Sequence, residues 1–149
     1  MRKIVIGGIA ATFGVSTALA TGAFAGNPAS NGAQRSGLSP TSGSTSSQCV
    51  EGSGAGTNGF VILNAPGPPG AAKKLIGEVS LKRGAPNTTY MVNVSVGNDN
   101  CMPEGTLTTN GQGNGNAHIA DSTLTNGSFY VVLQLGASEV YASGPVAVN

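Results

Sequence analysis

An antiparallel β-sandwich is the fold this sequence predicts, on three observations. Short apolar runs recur in which hydrophobic residues alternate with polar ones, the period of a half-buried strand. Gly, Pro and Asn clusters interrupt them every 8–12 residues or so. No stretch beyond the N-terminal segment repeats its hydrophobic residues with the period of about 3.6 that a helix requires. Seven or eight short, evenly punctuated strands of this kind argue for the immunoglobulin-like type, with a small barrel as the alternative.

The chain opens on Arg2 and Lys3, followed by an uncharged stretch to Ala20 that carries Ile4, Val5, Ile6, Ile9, Phe13, Val15 and Leu19. Ala23-Phe24-Ala25 then supplies a small-residue exit before Gly26. Positive start, apolar core and small-residue exit, in that order, predict a secretory signal peptide over residues 1–25, cleaved near Ala25. The apolar run is diluted by Gly7, Gly8, Gly14, Ser16 and Thr17 and falls short of the ~20 apolar residues of a spanning helix, so no stable membrane anchor is expected after cleavage. Residues 26–47 hold one Leu and no aromatic, too little apolar surface to offset chain entropy, and are expected to form a flexible linker. Residues 48–149 are expected to form the folded domain.

Within that domain Phe60-Val61-Ile62-Leu63 is the first strand, and Pro66-Gly67-Pro68-Pro69-Gly70 breaks it. Leu75, Gly77, Val79 and Leu81 alternate with Ile76, Glu78 and Ser80. Gly84-Ala85-Pro86-Asn87 turns the chain into Tyr90, Val92, Val94 and Val96, the most regular alternation in the sequence. Residues 106–109 and 117–120 flank a Gly/Asn-rich stretch and read as the two arms of a hairpin. Phe129 to Leu135 is a near-continuous apolar strand, and residues 140–143 and 146–148 close the chain around Gly144-Pro145. The inward positions of these strands, among them Val61, Leu63, Val79, Val92, Val94, Leu107, Ile119, Val131 and Leu133, form the expected core.

Cys49 and Cys101 are the two cysteines. In an oxidising compartment an even pair reads as one disulfide, for which the chain-entropy relation gives about 4 kcal/mol. The exported part keeps five bases (Arg35, Lys73, Lys74, Lys82, Arg83) against six acids (Glu51, Glu78, Asp99, Glu104, Asp121, Glu139), so the +1 of the whole chain comes from its first three residues. A chain with 9% charged residues and no basic cluster lacks the electrostatic footprint of a nucleic-acid binder.

From Leu81 to Val148 the sequence resembles small secreted immunoglobulin-like β-sandwich proteins of actinobacteria. The resemblance rests on Leu81-Lys82-Arg83-Gly84-Ala85-Pro86-Asn87-Thr88-Thr89-Tyr90, on Cys101, on Gly105-Thr106-Leu107-Thr108-Thr109-Asn110 with Gly113-Asn114-Gly115, and on Ser143-Gly144-Pro145-Val146. Pro86 to Tyr90 is also similar to the strand entry of fibronectin type III modules, where the Tyr packs at a sheet corner. These motifs imply an architecture and a bacterial source, and carry no catalytic residue across. A second resemblance, in size and in Gly, Ser and Thr content, is to the apoproteins of enediyne antibiotics, which have two disulfides where this chain can form one.

Few constellations offer chemistry. His118 is the only histidine, and Asp121, three residues along the same strand, is expected on the opposite face. The G-x-S-x-G elbow is absent after residue 25. The six acids show no pairing in sequence that would suit glycoside hydrolysis. Gly111 to Gly115 precedes a strand, not the helix a phosphate loop needs. Asn98, Asp99 and Asn100 with Glu104 offer oxygen ligands but miss the EF-hand spacing. No cofactor and no metal are implied. The sequence therefore points to a secreted, non-enzymatic binding or structural module acting outside the cell or at its envelope, with Asn110, Gln112, Asn114 and Asn116 as the candidate contact loop. Its partner is an unknown extracellular or envelope component, and self-association through residues 129–135, which have the composition of a steric zipper, is a further expectation. A small-molecule carrier of the enediyne-apoprotein type is the alternative, and a small secreted hydrolase a third reading.

Overall fold

A computed structural model describes residues 32–42, 49–67, 74–96, 100–125 and 127–148. The segment expected as signal peptide lies outside them. The described residues form nine antiparallel strands: β1 (Gln34–Pro40), β2 (Gly59–Asn64), β3 (Leu75–Leu81), β4 (Thr89–Val96), β5 (Cys101–Thr108), β6 (Gly115–Asp121), β7 (Gly127–Leu135), β8 (Ser138–Ser143) and β9 (Val146–Val148). Eight follow in the order β5-β4-β7-β8-β1-β2-β3-β6, and β9 pairs with β7. The two ends of that order, β5 and β6, lie side by side, so the sheet is rolled nearly into a barrel. The all-β antiparallel expectation with one disulfide holds.

Two details of the expected connectivity do not. An immunoglobulin-type sheet sets a later strand beside its second one, whereas β2 here pairs along its whole length with its immediate successor β3. The arms flanking the Gly/Asn stretch are not a laddered hairpin either. β5 pairs with β4 and β6 with β3, so the turn between them carries the chain across the seam of the roll.

The expected linker also needs correction. Its residues 34–40 are β1, and β1 holds the roll together. Gln34 to Gly37 pair with β2, and Leu38 to Pro40 pair with β8. The change of partner falls at Gly37, where a Cβ would sit 2.5 Å from the Gly56 backbone, so only a residue without a side chain allows the approach. Composition could not reveal this strand, because its one large apolar residue does the anchoring. Leu38 is fully buried, inside the main core. Backbone ladders on both edges satisfy the other residues whatever their side chains.

Period-two alternation builds the rest of the core. Leu75, Val79 and Leu81 on β3 and Tyr90, Val92 and Val94 on β4 face inward with Leu107, Ile119, Val131 and Leu133, and every core position named from the sequence is buried. β7 departs from alternation because it is covered on both sides. Phe129, Val131 and Leu133 enter the main core, while Tyr130 and Val132 pack on the other face with Cys49 and Ala142. Its edges are taken too, by β4 on one side and by β8 and β9 on the other. A zipper through residues 129–135 therefore has no free edge in the folded chain.

The disulfide explains the second cluster. Cys49 and Cys101 are joined, their Cα atoms 5.4 Å apart. The bridge ties the segment after Cys49 across the outer face of β7, where the Tyr130 hydroxyl donates to the Cys49 carbonyl at 2.6 Å and Gly52 N donates to Ser143 O at 2.8 Å.

Candidate functional site

The candidate contact loop is a docked, self-braced turn. Asn110 accepts at its side-chain Oδ1 from the backbone N–H of Gln112 and of Asn114, both at 3.0 Å. Its carbonyl accepts from Gly113 N at 2.9 Å and from Asn87 N at 3.1 Å. Gly84 N donates to Gly113 O at 2.9 Å, which fastens the loop to the preceding turn. Thr109 completes the joint: buried, it accepts from Thr88 N at 2.9 Å and donates to Ala85 O at 2.6 Å. The Tyr90 hydroxyl accepts from Ala85 N at 2.9 Å, so the turn also hangs from the core, where Tyr90 meets Tyr141 edge-on.

Asn110 thus spends its carbonyl oxygen on bracing, while Gln112, Asn114 and Asn116 stand exposed. Asn110, Asn114 and Asn116 share an open depression of about 420 Å³ with Ser80, Leu81, Lys82 and Gly115. The β3–β6 register, which sets Ser80 opposite Asn116 and Leu81 opposite Gly115, brings β3 to the loop. Lys82 is exposed, as is its neighbour Arg83, and neither forms an ion pair among the described residues. Sequence reading missed Ser80 and Lys82, because the ladder that places them joins strands far apart in the chain.

The remaining polar groups fall into three places. His118 does not meet Asp121. Its Nδ1 lies 2.8 Å from Glu78 Oε1, its partner across the β3–β6 ladder, on an exposed face. Asp121 instead lies near Glu104, from β5, close enough for each carboxyl to shift the other. The six acids therefore do contain one pair, which their separation in sequence concealed. Partial burial, with the Asp121 carboxyl beside it, pushes Glu104 up to about 7. The Thr123 backbone and hydroxyl, donating to Asp121 Oδ1 at 2.6 and 2.7 Å, hold Asp121 below its ordinary value.

Glu139 is the third. It is fully buried at the start of β8, where its Oε2 accepts from Val50 N at 2.9 Å and its Oε1 has no hydrogen-bond partner among the described residues. Burial raises its pKa, and the Val50 hydrogen bond offsets part of the shift. No group of three or more His, Cys, Asp or Glu that could hold a metal occurs among the described residues. Asn98 and Asp99, of the oxygen-rich turn, lie outside them. Asn87-Thr88-Thr89 and Asn93-Val94-Ser95 match the N-glycosylation sequon; Asn87 is exposed, while Asn93 is buried with its amide donating to Gln134 Oε1 at 3.1 Å.

Compared with known protein families, curated proteins and solved structures, the chain matches none.

Proposed function

We propose that the chain is an exported, non-enzymatic binding module that works outside the cell or at its envelope, and that it docks through the amide-rich face made by the 109–116 turn and the end of β3. The carrying observation is the bracing of that turn. Ordering a loop on binding costs affinity, and a loop held in advance by its own backbone and by a neighbouring turn avoids that cost. Exposed amides at Gln112, Asn114 and Asn116, together with exposed Lys82 and Arg83, which form no ion pair among the described residues, suit a polar partner with hydroxyl or amide groups and some negative charge. Export is supported by the order of charge, apolar run and Ala23-Phe24-Ala25 in the sequence and by a disulfide that persists in an oxidising medium. The order β8-β7-β4-β5 follows the G-F-C-C′ face of variable-type immunoglobulin domains, which supports an immunoglobulin-related scaffold for that half of the roll.

The test is cosedimentation with envelope material from the source cells, using protein recovered from the medium. Its mass should correspond to a chain beginning at Gly26. The Gln112→Ala/Asn114→Ala/Asn116→Ala variant, which touches none of the bracing side chains, should keep its melting temperature and lose at least fivefold in bound fraction. A protein retained in the cytoplasm, or one bound equally with and without the three amides, overturns the reading.

A further inference from the structure

We propose that the outer face of β1, β2 and β3 docks a second copy of this chain about a two-fold axis along β2. Strand parity defines that face. Val61 and Leu63 on β2, Leu75 and Val79 on β3 and Ile119 on β6 belong to the core, so the residues between them point outward. The ladders then set Arg35, Ile62, Glu78 and His118 opposite one another in a single row across β1, β2, β3 and β6. Phe60, Ser80 and Asn116 form the row beside it. Arg35, Glu78 and His118 are exposed, with Phe60 and Ile62 half-buried among them.

The first row is symmetric about β2 in position and opposite in charge. Arg35 lies one strand to one side of Ile62, and Glu78 one strand to the other. Two copies packed face to face with β2 on the axis set β1 of each over β3 of the other. Each Arg35 then meets Glu78 of the other copy, the reciprocal contact that an isologous interface requires. Phe60 and Ile62 lie on the axis and meet their own counterparts, apolar on apolar. Other axes lack this match. An axis along β1 would stack Arg35 on Arg35, one along β3 would stack Glu78 on Glu78, and one between β2 and β3 would stack Ile62 on Glu78. Like charges set against each other, or a charge set against an apolar side chain, oppose those arrangements.

Both charges are held ready for a partner. The Arg35 guanidinium lies 4.2 Å from the centroid of the Phe60 ring, which keeps its planar donors spread on the face. Glu78 gives its Oε1 to His118 Nδ1 at 2.8 Å, which leaves Oε2 to accept from an incoming guanidinium. With 9% of the chain charged, little long-range repulsion keeps two copies apart. Three strands at ~4.8 Å spacing make a narrow patch, below the ~1,200 Å² total of a standard interface, so the pair forms and parts with concentration. β7, whose two edges are laddered, takes no part.

Sedimentation equilibrium of the whole protein at up to about 1 mM decides it. The native chain should dimerise with a Kd below that concentration, and more weakly at high salt, which screens the two ion pairs. Arg35→Glu and Glu78→Arg should each weaken the dimer at least tenfold. The double variant Arg35→Glu/Glu78→Arg, which restores the pairing in reverse, should return to within about threefold of the native protein. Both side chains are exposed, so all four proteins should share one far-UV circular dichroism spectrum. A native protein that stays monomeric at about 1 mM, or a double variant that dimerises no better than the single ones, overturns the pairing. Neither result touches the binding role of the 109–116 turn, whose Gln112 and Asn114 lie off the paired strands.

Discussion

Replacing Leu38 with Ala should cost about 3–4 kcal/mol of folding stability, although Leu38 lies in a stretch whose composition is that of a linker. Its side chain is fully buried in the main core, at the point where β1 exchanges β2 for β8 as its partner. Removing three carbons loses about 2.4 kcal/mol at ~0.8 kcal/mol for each buried methylene. The cavity left behind adds to this, and Leu→Ala changes in well-packed cores span about 2.7–5.0 kcal/mol. Set against a domain stability of about 5–15 kcal/mol, the loss should move the urea midpoint far with little change in slope. Leu135→Ala is the control: that side chain is 45% exposed, and its removal should cost less than about 1 kcal/mol. The measurement is equilibrium urea unfolding followed by tyrosine fluorescence and far-UV circular dichroism. A loss below about 1 kcal/mol for Leu38→Ala would show that β1 lies outside the cooperative unit and that residues 26–47 behave as a linker after all.

Two further outcomes follow from the same structure. Cys49 and Cys101 are 52 residues apart, so the Cys49→Ser/Cys101→Ser variant should lose about 4 kcal/mol by the chain-entropy relation, read as the shift in the denaturation midpoint against the oxidised protein. A loss below about 1 kcal/mol would mean that the packing of Tyr130 and Val132 holds the outer face of β7 without the bridge. Glu139 holds its proton more tightly folded than unfolded, so its contribution is whole in acid and is lost as pH rises through its elevated folded value. Glu139→Gln, which cannot ionise, should therefore be more stable than the native protein at pH 8 by about 1 kcal/mol or more and close to it at pH 5. Equal pH dependence of melting in the two proteins would remove Glu139 as the cause.

Much of the fold was legible because period-two patterning reports burial on one face. Every strand predicted from residue 60 onward exists, and the expected core positions are buried. Patterning fails where one face does not decide. β1 has a single apolar anchor and two laddered edges, so its neighbours stabilise it and its own composition does not. The turn between β5 and β6 has hairpin chemistry at Asn110 to Gly115, but which strands it joins into a ladder depends on partners elsewhere. The candidate contact loop was legible for the same local reason, since Gly and Asn mark turns wherever they occur. Ser80, Lys82 and the Glu104–Asp121 pair were not, because ladders brought them to their places.

The sequence by itself determined the strands, the turn residues, the charge-poor surface and the two cysteines available for a bridge, since each depends on residue type and local spacing. Only the tertiary structure decided that β1 belongs to the domain, that the sheet rolls until β5 faces β6, and that two carboxyls lie near each other across the gap. Those are matters of strand partnership, set by backbone hydrogen bonds between segments far apart in the chain, and backbone groups are the same in every residue but proline.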